Sequence, residues 1–325
     1  MAIDVAEADK VYSGKVHALR SVRIAVHRGE VFGLLGPNGA GKSTLVKILM
    51  TIVRPTRCRG TMLGRSIGHK PTLSRIGYLP EHHRFPDYLT GRQVLEYFAA
   101  LSGVGRMQRK KRAGELLDLV GMSRWESHRV RQYSKGMRQR IGVAQSLMND
   151  PDLVLLDEPT DGVDPVGRRD IRNVLTEMKR RGKAVLVNSH LLSELEMVCD
   201  RVAIMVQGRV TSQGTIDELT AYGRRYEIEV ENPGVKALGA AAGGDGLWTR
   251  AAARLPAGVK WSANGETLTV ETSDAGSVQG VIDSLRAQGQ AIRAVRPLRP
   301  TLEELFMLAV NDPATGKPLE PGASA

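Results

Sequence analysis

The sequence predicts an α/β protein built around a parallel β-sheet, followed by a small α+β domain. A glycine-rich loop at residues 36–44 lies between an apolar run typical of a strand and a run with helical periodicity. Two further apolar runs, 153–158 and 183–190, end in polar residues, as buried parallel strands do when they deliver side chains to a site. Beyond residue 223, shorter alternating runs replace these continuous apolar ones.

Length and composition fit a protein with two domains. The chain has 325 residues, of which 42% are hydrophobic, so it can bury a sizeable core. Two cysteines are too few for a disulfide framework, and we expect a cytoplasmic protein. The apolar runs are far shorter than a membrane span, so we expect another chain to cross the membrane if the protein acts there.

The net charge of +11 is unevenly distributed. Residues 1–222 hold 35 Lys and Arg against 23 Asp and Glu, whereas residues 223–325 hold 11 against 12. Excess basic charge favours a nucleotide, a nucleic acid or an anionic lipid surface, and it does not choose among them. A basic surface that is simply solvated is an equally good interpretation.

The first strand and helix flank a loop suited to phosphate. The strand is GEVFGLLG, the helix is KSTLVKILM, and the spacing between them is G-x-x-x-x-G-K-[ST]. Glycines let successive backbone N–H groups point towards an anion, and the helix adds the positive end of its dipole. We therefore predict that the loop binds nucleotide phosphates and that Mg²⁺ bridges them. The predicted binding residues are Gly36, Pro37, Asn38, Gly39, Ala40, Gly41, Lys42, Ser43 and Thr44, with Ser43 also a metal ligand.

Polar residues at the ends of the later strands supply candidates for hydrolysis. Asp157 is suited to hold Mg²⁺, and Glu158 is suited to polarise the water that attacks the γ-phosphate. His190 ends the third strand and is placed to donate a hydrogen bond to the same phosphate.

A further helix begins at an exposed Ser-x-Gly. Ser134 is well placed as the N-cap, and Gly136 follows within the first turn. The amides of this turn form an anion site. The phosphate bound by the glycine loop of the same chain already has its own lysine and helix, so this second site has no obvious phosphate within its own chain.

Taken in this order, these motifs resemble the nucleotide-binding subunits of ABC transporters over residues 2–220. The resemblance implies a P-loop NTPase of ABC type, with a parallel-sheet core, an N-terminal β subdomain and a helical signature subdomain at 83–150. It implies that ATP and Mg²⁺ are bound by a head-to-tail homodimer, or by a pair with a related ATPase subunit. The Ser134 helix of one subunit would close the phosphate site of the other. Asp164 falls in the D-loop, His190 matches the switch histidine, and Tyr12 resembles the aromatic that stacks on adenine.

Three positions depart from the commonest pattern of that family. Lys135 and Met137 stand in the signature where Gly and Gln are usual, while Ser134 and Gly136 remain. Glu81 stands where many members have Gln, and we expect it to bind Mg²⁺ through oxygen. The third departure, in the loop that carries Asp164, leaves that aspartate in place.

The remainder of the chain predicts an accessory domain at 223–311 and a disordered tail at 312–325. Alternation at 226–231 and 267–271 predicts strands, and the periodicity at 277–286 predicts a helix. Residues 233–258 are predicted to be loop-rich or weakly helical. The ending TLEELF at 301–306 resembles the C-terminal extension of ATPases from drug- and polymer-exporting ABC systems.

We therefore expect an Mg²⁺-dependent ATPase on the cytoplasmic face of the membrane, powering export through a separate integral membrane permease. A soluble ABC ATPase acting on ribosomes or nucleic acid is an alternative. It is disfavoured by the single cassette and the lack of heptads, and no specific nucleic acid is expected. An import ATPase is a third interpretation. The basic run at 106–112 fits either a solvated helix face or contact with anionic lipid.

Overall fold

The computed structural model describes residues 1–13, 16–189, 192–220, 225–231 and 246–311. Three predictions lie wholly or partly outside these residues: His190, the tail at 312–325, and the loop-rich stretch at 233–258, of which 233–245 are not described. The described residues form two compact units, Met1–Ile216 together with Phe306–Asn311, and those within Asp217–Leu305.

Two sheets organise the first unit. Its strands within the described residues are β1 (Ile3–Val11), β2 (His17–Val26), β3 (Val31–Leu35), β4 (Arg57–Met62), β5 (Arg65–Ser66), β6 (Ile76–Leu79), β7 (Leu153–Asp157), β8 (Ala184–Asn188), β9 (Arg201–Val206) and β10 (Arg209–Thr215). One sheet is antiparallel with the order β2-β1-β4-β5, and the other has the order β10-β9-β3-β8-β7-β6. In the second sheet all neighbours are parallel except β9 and β10.

The described residues of both units also form ten α-helices. They are α1 (Lys42–Leu49), α2 (Gly91–Leu101), α3 (Arg106–Leu119), α4 (Lys135–Ser146), α5 (Pro165–Arg180), α6 (Leu192–Glu196), α7 (Ile216–Leu219), α8 (Leu247–Ala252), α9 (Ala275–Ala287) and α10 (Leu302–Val310). Short 3₁₀ helices span Lys70–Arg75, Ser123–Trp125 and Val130–Gln132. Among the described residues, no helix is both long enough and apolar enough to cross a membrane.

The parallel sheet is buried on both faces. Every residue of β3, β7 and β8 is buried, which explains why these strands read as unbroken apolar runs. One hydrophobic core joins the antiparallel sheet, α1 and the parallel sheet, and includes Phe32, Leu45 and Leu155. Because α1 is held in this core, its N-terminus is fixed at the carboxyl ends of the parallel strands.

Local capping sets the starts of α2 and α4. Thr90 accepts a hydrogen bond from the backbone N–H of Gln93, whose side chain accepts one from Thr90 in return. Ser134 accepts from the N–H of Met137 at 3.2 Å, so the helix predicted there begins with the expected N-cap.

The second unit is an α+β structure. Its strands β11 (Arg225–Glu231), β12 (Trp261–Asn264), β13 (Thr267–Val270) and β14 (Ala291–Leu298) form an antiparallel sheet in the order β12-β13-β11-β14. With α8 and α9 between strands, the chain order is β-α-β-β-α-β, a ferredoxin-like arrangement. Its own core contains Ile228, Trp248 and Leu285. The predicted fold class is confirmed.

Candidate active site

The glycine loop joins the end of β3 to the start of α1. Gly39 and Gly41 have φ of 81° and 101°, a conformation that L-residues with a Cβ rarely adopt. A Cβ on Gly41 would lie 2.4 Å from the carbonyl oxygen of Ala18, so a side chain is also excluded by contact. Gly41 is the N-cap of α1 and supplies no side-chain hydrogen bond, which leaves the first amides of the helix available to an anion.

Lys42 folds its side chain back over this loop. Its ammonium donates to the carbonyl oxygens of Gly36 at 2.6 Å and Pro37 at 3.1 Å, and the residue is only 6% exposed. Burial lowers the pKa of Lys42, while the negative charges of Glu158 and Asp157 act to raise that pKa. The ammonium is therefore a desolvated charge held between the loop and the carboxylates.

Asp157 ends β7 beneath the loop. Its carboxylate accepts a hydrogen bond from Ser43 Oγ at 3.4 Å and another from the side-chain amide of Asn188, and the residue is 1% exposed. Burial raises the pKa of Asp157, and the hydrogen bonds from Ser43 and Asn188 act to lower it. The two residues predicted to share a metal, Ser43 and Asp157, are thus brought together.

Glu158 is held in a strained backbone conformation. Its φ is +52°, which for a residue with a Cβ costs about 1–3 kcal/mol. Its N–H donates to the carbonyl of Asn188 at 2.8 Å, and its own carbonyl accepts from the side-chain amide of Gln139 at 2.7 Å. These bonds on both sides of the residue fix it, and Glu158 lines the cleft above the loop.

The cleft has a volume of about 370 Å³. Its lining residues are Tyr12, Val16, Ala18, Asn38, Gly39, Ala40, Gly41, Lys42, Ser43, Thr44, Glu81, Glu158 and Asn188. Tyr12 reaches Thr44, with 3.5 Å between the two hydroxyl oxygens, and Lys10 Nζ lies 4.7 Å from the centre of the tyrosine ring. Residues 38–44 of the predicted loop, the aromatic Tyr12 and the carboxylate residues Glu81 and Glu158 thus border one cleft.

The donor set at this cleft fits Mg²⁺. Ser43, Asp157 and Glu81 offer hydroxyl and carboxylate oxygens, which are the hard ligands Mg²⁺ prefers. The side-chain oxygen of Asn188 is buried with no hydrogen-bond partner among the described residues, and it adds an acceptor next to Asp157. No group of three His, Cys, Asp or Glu side chains suited to a metal occurs within the described residues. Substrate phosphates and water would therefore complete the coordination.

Among the described residues, six predicted site residues do not line this cleft: Gly36 and Pro37, whose carbonyls accept from Lys42, Asp157, which accepts from Ser43, and the residues Ser134, Gly136 and Asp164. Ser134 is exposed, Gly136 is half-buried, and both lie at the start of α4. Lys135 pairs with Asp161 at 2.7 Å. Asp164 is the N-cap residue of α5, and its carboxylate lies 3.3 Å from the guanidinium of Arg140. Within one chain, therefore, the start of α4 does not border the same cleft as the glycine loop.

Sequence reasoning missed two residues of the site. Asn188 ends β8 opposite Asp157, and Gln139 lies on the second turn of α4. The polar end of the run at 183–190 was a usable signal for Asn188, because the last residue of a buried strand faces the same edge as Asp157. Nothing local distinguishes Gln139, whose role depends on a contact with residue 158, far along the chain.

Comparison with known proteins adds independent findings. The family model described as ABC transporter matches residues 19–161. An uncharacterized ABC transporter ATP-binding protein of Synechocystis, sll0415, is 38% identical over 320 residues, which cover 95% of this chain and 85% of that protein. The daunorubicin resistance ATP-binding protein DrrA3 of Streptomyces coeruleorubidus is 36% identical, with 96% of each chain covered. A solved dimeric structure of the bacterial ABC transporter cassette MJ0796 has a TM-score of 0.61 and 25% identity, covering 66% of this chain and 98% of that one.

Replacing Lys42 with Ala should weaken ATP binding by about 10- to 150-fold, because a hydrogen bond to a charged group contributes about 1.5–3 kcal/mol. Lys47→Ala is the matched control, since Lys47 is an exposed lysine of the same helix that does not line the cleft. Titration with a fluorescent ATP analogue measures both affinities. Equal affinities for the two variants would contradict the assignment of Lys42 to the phosphates.

Proposed function

Because the chain belongs to the ATP-binding proteins of ABC transporters, which are ATPases, we propose that it hydrolyses ATP in this cleft to drive export through a separate membrane permease. The observation that carries the proposal is the meeting of three groups at one cleft. These are the phosphate loop with Lys42, the Ser43–Asp157 pair, and Glu158, whose backbone is held by Asn188 and Gln139.

In the proposed complex the triphosphate lies along the start of α1. The free amides of the loop and the Lys42 ammonium would bind the β and γ phosphates, and Tyr12 at the border of the cleft would stack on adenine. Ser43, Asp157 and Glu81 would hold Mg²⁺, which when bound neutralises charge on the phosphate oxygens. Binding positions the phosphate chain, and positioning supplies much of the catalysis in phosphoryl transfer.

Glu158 is the proposed general base. Glu158 lines the cleft, and hydrogen bonds to its own backbone on both sides hold the strained residue in place. It would orient water for in-line attack on the γ-phosphate and accept the proton. His190, outside the described residues, is proposed to donate a hydrogen bond to that phosphate.

The anion site at the start of α4 supports a head-to-tail dimer. Ser134 is exposed and Gly136 is half-buried, and in one chain neither residue is part of the nucleotide cleft. A second copy, or a related ATPase subunit, placed with its phosphates against this helix would satisfy both surfaces at once. Asp164, also exposed, would lie at the same interface.

The export direction is supported by the relatives. A protein named for daunorubicin resistance aligns over 96% of this chain, including the region of the second unit. We propose that the protein is peripheral on the cytoplasmic face of the membrane. We also propose that residues 1–222 form the ATPase domain and 223–311 an accessory domain.

Glu158→Gln should bind ATP with unchanged affinity but lower the hydrolysis rate about 10²- to 10⁴-fold, since general-base catalysis contributes about that much. ATP should then hold the protein as a dimer on size-exclusion chromatography. Glu115→Gln, on an exposed face of α3, is the control and should behave like the wild type. Wild-type turnover in Glu158→Gln would remove Glu158 from the mechanism.

Mixing two inactive variants tests the head-to-tail arrangement. Lys42→Ala disables the loop, and Ser134→Arg blocks the start of α4. In a mixed dimer one site carries both defects, whereas the other has an intact loop from one chain and an intact Ser134 helix from its partner. ATPase activity should therefore reappear on mixing, and activity no higher than the sum of the separate variants would exclude a shared site.

Transport direction can be measured in inverted membrane vesicles. We expect a multi-span membrane protein to be encoded beside this chain, and vesicles holding both proteins should accumulate daunorubicin when ATP is added outside. Vesicles with the Glu158→Gln chain should not. ATP-driven release of preloaded compound would instead indicate import.

A further inference from the structure

A second cleft of about 420 Å³ lies in the first unit. It is lined by Arg20, Ser21, Arg23, Arg209, Val210, Thr211, Ser212 and Gln213, and it shares no residue with the nucleotide cleft. These residues belong to β2 and β10, each of which is the outermost strand of its sheet. The cleft is therefore a groove between the edges of two sheets.

Both edge strands carry an irregularity at this groove. The pairing of β2 with β1 shifts between Leu19 and Val22, and Ser21 there has φ of +50° with its N–H bonded to Asp9 Oδ1 at 2.9 Å. The pairing of β10 with β9 shifts beside Thr211, whose hydroxyl donates to the carbonyl of Ile204 at 3.1 Å. Such bulges redirect side chains and are common at sheet edges next to sites.

Three arginines line the groove without a carboxylate partner. Within the described part of the chain, Arg20, Arg23 and Arg209 make no ion pair. In contrast, the nearby Arg59 and Arg201 are paired, with Glu7 and Glu30 respectively. The Nε of Arg20 is buried and has no hydrogen-bond partner among the described residues. A buried donor left unpaired costs about 1–3 kcal/mol, and the Arg20 side chain is not held by a partner within the described residues.

We propose that this groove is a second anion site that binds a phosphate-bearing ligand, either a free phosphorylated molecule or a phospholipid headgroup. A phosphate monoester carries about −1.5 to −2 at neutral pH. It therefore neutralises more of the positive charge of three guanidinium groups than a single carboxylate would. Guanidinium forks match phosphate oxygens in paired hydrogen bonds, and the hydroxyl of Ser212 adds a donor. The competing explanation is that charge on edge strands only prevents aggregation, which requires no ligand.

The test uses the full chain with the nucleotide cleft filled by Mg²⁺ and a non-hydrolysable ATP analogue. Inorganic pyrophosphate is the soluble probe, measured by isothermal titration calorimetry. Flotation with phosphatidylcholine vesicles, with and without phosphatidylglycerol, is the lipid probe. The test variant is Arg20→Gln/Arg209→Gln. The control, Arg54→Gln/Arg65→Gln, removes the same charge from exposed positions outside the groove.

Binding of either probe by the wild type, weakened about tenfold or more in the test variant and unchanged in the control, would support the site. Loss with pyrophosphate assigns it to free phosphates, and loss with phosphatidylglycerol vesicles assigns it to lipid. If the test variant folds poorly, Arg20→Lys takes its place. This variant keeps the positive charge but not the guanidinium fork, so it should bind the probe more weakly than the wild type without losing binding altogether. No binding by the wild type, an equal loss in the control, or equally tight binding of hexaglutamate would overturn the proposal.

Discussion

The pairing of β7 with β8 is the constraint on which the candidate site depends. Parallel pairing sets Asp157 opposite Asn188, and the next N–H, that of Glu158, bonds the Asn188 carbonyl. One register therefore places a buried carboxylate under the start of α1 and a second carboxylate at the cleft. A slip of one residue would turn the side chains of these strands to the opposite face and separate the groups.

The departures from the usual family pattern have physical partners in this chain. Lys135 pairs with Asp161. The aliphatic stem of Lys135 packs against Gly162, where an added Cβ would lie 2.5 Å from Cδ of the lysine. The start of α4 is thereby tied to the segment that follows Glu158. Glu81 lines the nucleotide cleft. Burial raises the pKa of Tyr78 to about 12, and the negative charges of Asp157 and Glu81 act in the same direction. The Glu81 departure is therefore part of the electrostatics of the nucleotide cleft, whereas the Lys135 departure acts at the start of α4, outside that cleft.

The two proposed sites on the first unit differ in character. In the nucleotide cleft, backbone amides and a single buried lysine face carboxylates, an arrangement suited to a phosphate chain with its metal. The groove between β2 and β10 has guanidinium groups and no carboxylate in its lining, so it favours an anion without a metal. Both occur where strands end or pairing is interrupted, because only there are polar groups free of the sheet.

The sequence alone determined the α/β class, the glycine loop, the Asp-Glu strand end and the Ser134 helix start, because each depends on local periodicity, glycine conformation or capping. Tertiary structure decided the rest. Gln139 and Asn188 bind the backbone of Glu158 across the fold, and the three arginines meet only because two sheet edges lie side by side. Such contacts join residues far apart in sequence, and no local pattern encodes which distant backbone or charge a side chain will meet.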